Sequence, residues 1–421
     1  MSNQSLMIDS KSFVSRDKNS ILVVIGCSIA IFWPGAMIFG FPGVMASAWQ
    51  GMFHIGRGET GNILFFVLAA VGIFMFLAGY WQERYGTKAM IAIGILTCSL
   101  SAVIVGYASG IVWLYVWAFI IGASSSFVYT PALTIVQRLY PQKRGLVSGV
   151  VNLTFGLSAA VMSPLFGYML KSLGYLNMNL VIAVISLITG LGALSIIKAP
   201  DTIPAMIAKP SGAQSSGTKA AGIRWPEESL TLRESTRTRN FWLLWGTWAM
   251  QGAATISMVV LSTSYGLSKG FTLEAAVFIL IAFNIANGIG RLISGYLSDI
   301  IGRNMTMSIV FFAAGGAYLI LPQSSNLIVC SILAAFVGLS HGTLFTVSAP
   351  LVYDCFGFKH FGAIFGLVFT AYGFISGLIG PSLSGYILDV TDGNFFIVFT
   401  YLGVFCILSG LCIRLVVPSR R

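Results

Sequence analysis

Arg291 lies in the run Ala275–Ser298, where the only other ionisable side chain is Tyr296. About 24 residues of this kind are long enough to span a bilayer. A centrally placed Arg costs such a segment roughly 2.5–3.5 kcal/mol on insertion scales. All thirteen Asp and Glu residues fall at segment ends or in loops, so none neutralises the charge at depth. A buried cation without an acid is suited to hold an anion, and a guanidinium fork donates two parallel bonds to a carboxylate. The plainer reading has Arg291 bonding Asn287 one turn earlier and backbone carbonyls as a packing device. His341 is the second outlier, near the middle of the apolar stretch FVGLSHGTLF. It is either a satisfied core histidine or a ligand and proton carrier.

The elements that must position these residues follow from hydropathy. Apolar residues make up 56% of the 421-residue chain and charged residues only 9%, with a mean hydropathy of +0.87. Soluble domains rarely carry so few charges. Apolar runs of spanning length number twelve, at 21–47, 60–82, 88–107, 112–139, 146–170, 174–197, 241–268, 275–298, 305–322, 327–353, 361–388 and 395–417. The runs 88–107 and 305–322 are the shortest and least distinct. Arg291 lies eight residues before Asp299, about 12 Å from the end of its helix.

The charges set an orientation. With both termini and the even-numbered loops inside, the cytoplasmic side holds 20 Lys and Arg residues. The other side holds Arg57, Lys171 and Lys269, and Arg291 is the remaining one. The positive-inside rule then predicts cytoplasmic termini. The net charge of +11 reports this topology and contact with anionic lipid. Nucleic acid is excluded as a partner, because the basic residues are scattered over separate loops. Residues 1–20 read as a retained cytosolic tail without a cleavage pattern. The six cysteines sit in or beside apolar spans with no metal spacing, so no metal or cofactor is expected.

Residues 198–240, rich in Pro, Gly, Ser and charge, divide the chain into halves 21–197 and 241–417, with 418–421 as a short C-terminus. The halves repeat. Gly79-Tyr80-Trp81-Gln82-Glu83-Arg84-Tyr85-Gly86-Thr87-Lys88 recurs 216 residues on as Gly295-Tyr296-Leu297-Ser298-Asp299-Ile300-Ile301-Gly302-Arg303. Gly145 and Gly149 recur as Gly362 and Gly366, offset by 217. The first glycine would permit close helix contact, the acid would cap the next helix or pair with a loop cation, and the second glycine would make the turn.

This doubled loop resembles the signature of the major facilitator superfamily. The resemblance implies an all-α membrane protein with twelve transmembrane helices in two six-helix halves and both termini cytoplasmic. It also implies that Gly79, Glu83, Gly86, Lys88, Gly295, Asp299, Gly302 and Arg303 form a cytoplasmic gate and do not touch substrate. RTRNFWLLW at 237–245, RLYPQKRGLVSG at 138–149 and Asn-Gly-x-x-Arg at 287–291 are similar to the oxalate/formate-antiporter group and its monocarboxylate-transporter relatives. In that group Arg291 matches the arginine that binds the substrate carboxylate. His341, Phe345 and Tyr129 match positions of aromatic residues around the substrate. Tyr129 reads almost as well as an interhelical hydrogen bond, and Ser124–Ser126 as close helix packing.

Two departures shape the expected substrate. Tyr372 stands where the oxalate exchangers place a lysine, and Pro34 where they place a tyrosine. One fixed cation argues for one carboxylate. Asn287 stands where the monocarboxylate transporters carry a titratable Asp, so His341 is the candidate proton carrier. The expected site is thus Arg291, His341, Tyr129, Phe345, Asn287 and Tyr372.

The expected function is secondary active transport of a small monocarboxylate (lactate-, pyruvate- or formate-like) by a monomer in the cell's inner (plasma) membrane, with proton symport by alternating access. Carboxylate exchange without protons is the nearest alternative, and a membrane sensor or receptor is an alternative of a different class. An enzyme is not expected, because no catalytic set of residues can be assembled at membrane depth. A channel fares no better, since nothing resembles a selectivity filter.

Overall fold

The computed structural model describes residues 3–140, 144–197, 230–357 and 361–418, with side chains from Ser20 onward except at a few positions such as Glu83. The expected linker lies mostly outside the described residues, at 198–229, as do the side chains around Gly145 and Gly362. Among the described residues every regular element is helical.

The first half comprises α1 (Asn3–Phe39), α2 (Phe41–Phe53), α3 (Arg57–Tyr85), α4 (Thr87–Gly106), α5 (Ile111–Leu139) and α6 (Arg144–Ile196). A short α7 (Leu232–Ser235), capped by Thr231 and Glu234, leads into the second half. That half comprises α8 (Arg239–Ser268), α9 (Leu273–Ile301), α10 (Arg303–Ile320), α11 (Leu327–Phe356), α12 (Phe361–Thr370), α13 (Leu383–Val390) and α14 (Phe395–Leu415). Two wide π-helical segments, Ala371–Ser376 and Leu378–Ser382, join α12 to α13 around Pro381. Proline there removes a backbone donor, and the wider turns accommodate the missing bond.

Among the described residues, ten helices are long and apolar enough to cross a membrane. One of them, Gly149–Ile196, is interrupted at Gly174, whose φ of 77° breaks the helical course. The expected runs 146–170 and 174–197 therefore meet at a kink with no connecting loop. α8 lies outside the ten because it carries Gln251, Thr255, Ser257, Ser262 and Thr263, all buried. Its polar atoms face protein, where hydrogen bonds can offset their desolvation. The least distinct runs do form helices, as α4 and α10. Large apolar residues such as Val184, Ile188 and Ile300 are exposed, as a lipid-facing surface requires.

The repeat is structural. Gly86 and Gly302 turn the chain with φ of 86° and 88°. A Cβ on Gly122 would stand 2.3 Å from the Val67 carbonyl oxygen, and one on Gly338 would stand 2.0 Å from that of Phe283. Both partners of that contact are offset by 216, the spacing of the loop signatures. The same holds for Gly79 against Thr130 and Gly295 against Thr346, at 3.8 and 3.3 Å. Thus α3 packs on α5 as α9 packs on α11, through backbone contact that only glycine allows.

Asp299 does not cap α10, and the Glu83 side chain lies outside the described residues. The residues flanking α4 and α10 are Gly86 and Gly302, neither helix start takes a side-chain cap, and Asp299 remains exposed within α9. The residue flanking each helix is glycine, which has no side chain to cap with. Arg303 instead pairs with Asp354 of α11, and Lys88 is half-buried.

Candidate functional site

α6 and α9 cross where the two halves meet, and their backbones touch at Gly156 and Gly288, a Cβ on the former falling 2.9 Å from the Cα of the latter. Asn152 lies one turn before Gly156, and Arg291 nearly one turn after Gly288. On the far side of α9, Gly338 and Gly342 let α11 approach. A Cβ on Gly342 would stand 2.4 Å from the Asn287 carbonyl and 3.3 Å from Arg291 Cγ. Glycines on both neighbours therefore seat Arg291 at the middle of three packed helices.

Arg291 is only 3% exposed. Its Nη1 donates to Asn152 Oδ1 at 3.0 Å, and its Nε makes a long 3.4 Å contact with Asn287 Oδ1. Its Nη2 has no partner. Phe345 and Phe155 flank the guanidinium, with ring centroids 5.2 and 6.0 Å away. Neither partner is acidic, so the charge is solvated by amides, aromatic faces and the nearby Tyr129 hydroxyl. Both readings of the sequence hold in part, since Asn287 does bond Arg291 while half the fork remains free.

His341 follows the same pattern. Its Nδ1 lies 2.7 Å from Thr255 Oγ1. That hydroxyl gives its one proton to the Gln251 carbonyl at 2.9 Å. The ring must therefore donate from Nδ1, which leaves Nε2 as a bare lone pair. Nε2 is buried without a partner. Phe345 bridges the two groups, 4.9 Å from the His341 ring, and Arg291 is close enough to act on His341 electrostatically. Tyr372 packs on Phe345 at 5.2 Å, its hydroxyl also buried without a partner. A guanidinium edge, a lone pair and a hydroxyl thus converge in an aromatic enclosure. Such an arrangement suits one small anion with an apolar body.

All six expected residues gather here, from α5 (Tyr129), α9 (Asn287, Arg291), α11 (His341, Phe345) and the π segment (Tyr372). Tyr129 donates to Asn152 Oδ1 at 2.6 Å, the interhelical bond its plainer reading anticipated. Ser124 donates to the Gly94 carbonyl at 2.8 Å, as packing. Sequence reading missed Asn152, Phe155 and Thr255, which are ordinary residues in apolar runs. Only their partners mark them. A cleft lined by Gln50, Arg57, Thr60 and Ser264 lies elsewhere and includes none of these residues. Among the described residues no group of three or more His, Cys, Asp or Glu could hold a metal.

The family model of the Major Facilitator Superfamily matches residues 25–381 and, again, 278–421. The chain belongs to the major facilitator superfamily. It is a multi-pass membrane transporter. Relatives include the oxalate:formate antiporter of Oxalobacter formigenes, 28% identical over 55% of this chain and 52% of that protein. This chain therefore aligns with only about half the antiporter's length. Monocarboxylate transporter 14 of Homo sapiens is 23% identical over 90% of this chain and 88% of its own. Monocarboxylate transporter 13 of Rattus norvegicus is 22% identical, over 80% and 74%. Among solved structures, a bacterial homolog of the human lysosomal transporter Spinster, inward-facing and unoccupied, superposes with a TM-score of 0.66 over 95% of both chains at 13% identity. That likeness concerns the fold.

Proposed function

We propose that this protein carries small monocarboxylates across the plasma membrane by alternating access, together with a proton. The observation that carries the reading is the free Nη2 of Arg291, buried, without an acid, in the crossing of the two halves. A carboxylate would take that fork edge and supply the missing negative charge. Relatives named for oxalate, formate and monocarboxylates support the ligand class. The single fixed cation favours one carboxylate over two.

His341 would hold the proton at Nε2, its bare nitrogen. A protonated ring and Arg291 repel, and a bound carboxylate cancels that repulsion. Anion and proton then load together, so loaded and empty carriers have the same net charge. Twelve crossings follow when α6 is counted twice at Gly174, α8 is included, and α1 with α2, and α12 with α13, each count once. The positive-inside pattern puts both termini in the cytoplasm.

The test is uptake of labelled L-lactate into proteoliposomes under an inward-acid gradient, against an ionophore-collapsed control. Accumulation that follows the gradient is expected. Uptake only into vesicles preloaded with another carboxylate would replace symport by exchange. That second reading draws on the antiporter relative and on Asn287 being untitratable.

A further inference from the structure

Asn152 occupies an unusual position for an amide. It belongs to α6, in the first half, while Arg291 belongs to α9, in the second. Its Oδ1 accepts from Arg291 Nη1 at 3.0 Å and from the Tyr129 hydroxyl at 2.6 Å. Two donors on one oxygen fix the amide's orientation, because the NH₂ group could accept neither. A neutral oxygen thus sits where a carboxylate oxygen would be better placed, facing a guanidinium and a hydroxyl. One turn along α6, Gly156 meets Gly288, so this hydrogen bond lies beside a close backbone contact between the halves.

We infer that Asn152 is the internal stand-in for the substrate carboxylate: it holds Arg291 in the empty carrier and yields that place when substrate binds. The inference rests on the proposed role of Arg291 as carboxylate ligand. A bidentate carboxylate needs two parallel N–H groups, and the two free N–H groups of Nη2 diverge, so each edge of the fork takes only one of them. The second must come from Nη1, now given to Asn152, or from Nε, now weakly engaged by Asn287. A carboxylate on the Nη1–Nη2 edge competes with Asn152 for Nη1 and so loosens a tie between the halves. Loading the site is thereby linked to the freedom of the halves to rock. It also gives the empty carrier a hydrogen-bonded state in which its cation is not left bare. Asn152 is therefore both a competitor for the site and a part of the gate.

The experiment uses the purified full chain and three variants, Asn152→Asp, Asn152→Ala and Asn152→Asp combined with Arg291→Gln. Thermal stability is measured without ligand, and binding with labelled L-lactate, formate and oxalate in turn. Asn152→Asp should raise the melting temperature in the Arg291 protein, lose that gain with Arg291→Gln, and bind carboxylate at least about tenfold more weakly, since its own carboxylate fills the place. Asn152→Ala should bind several-fold more tightly, because the competitor is gone. Weaker binding by Asn152→Ala would make Asn152 a substrate ligand or a prop for Arg291, and would overturn the inference. So would an Asn152→Asp protein that is destabilised whether or not Arg291 is present. If the unmodified protein binds none of the three anions, the monocarboxylate reading falls, while the ligand-free stability comparison still decides the role of Asn152.

Discussion

The two halves share a scaffold and differ in chemistry. At an offset of 216 residues, Gly122 on Val67 corresponds to Gly338 on Phe283, and the turn glycines Gly86 and Gly302 adopt the same positive φ. At the same offset, Arg291 corresponds to Met75, His341 to Ser125, and Asn287 to Val71. Tyr129 corresponds to Phe345, and both stand at the site, one bonded to Asn152 and the other under the guanidinium. The duplication supplies two equivalent helix frames facing one another. Polar substitutions in the second frame, and Asn152 in the first, turn that frame into a site. Backbone packing tolerates no change at its glycines, so the scaffold repeats, whereas cavity-facing positions are free to diverge.

The comparison can be broken most sharply by giving the second half the residue of the first. Arg291→Met should abolish carboxylate transport, by at least about 100-fold, through loss of charge-assisted bonds. Its thermal stability should be unchanged or raised, since a buried cation is removed. Transport that survives in proteoliposomes would dismiss Arg291 as the anion ligand. His341→Gln keeps a polar side chain that cannot titrate. It should abolish pH-driven accumulation while sparing carboxylate exchange, and unchanged accumulation would remove the histidine from coupling.

The scaffold side of the comparison predicts paired effects. Gly122→Ala and Gly338→Ala each drive a Cβ into a backbone carbonyl and should each destabilise by about 3 kcal/mol, at the upper end of overpacking costs. A large loss from one and none from the other, in parallel melting curves, would deny that the two contacts are equivalent. Gly86→Ala and Gly302→Ala force a side chain into glycine-only backbone space and should cost about 1–3 kcal/mol apiece. The smallest effect is expected at Arg303, which is partly exposed and, unlike Arg291, has an acid. Breaking its pair by Asp354→Asn should cost less than about 1 kcal/mol and leave carboxylate affinity unchanged.

Much of this was legible in the chain. Hydropathy located the helices, including the short α4 and α10, because each apolar run must bury its backbone polar groups within itself. It set a boundary near Gly174, where the helix does break, but could not place the break between α1 and α2 or the π turns around Pro381 before α13. The doubled glycine loops announced the repeat, but Asp299 takes no capping role, and glycine occupies the position flanking α10. Arg291 and His341 were visible because ionisable groups are rare in apolar runs. Asn152 and Thr255 were not, since an amide or a hydroxyl in such a run is common and carries no mark of its partner.

The sequence by itself determined a membrane-spanning, duplicated helical protein and two conspicuous polar residues, because composition and spacing fix what lipid will accept. The tertiary structure alone decided that Arg291 meets Asn152 and Tyr129 rather than an acid, and that Thr255 leaves Nε2 of His341 bare. Those facts depend on residues 86 and 139 positions apart being brought together by packed helices, which set hydrogen-bond distances that no local pattern encodes.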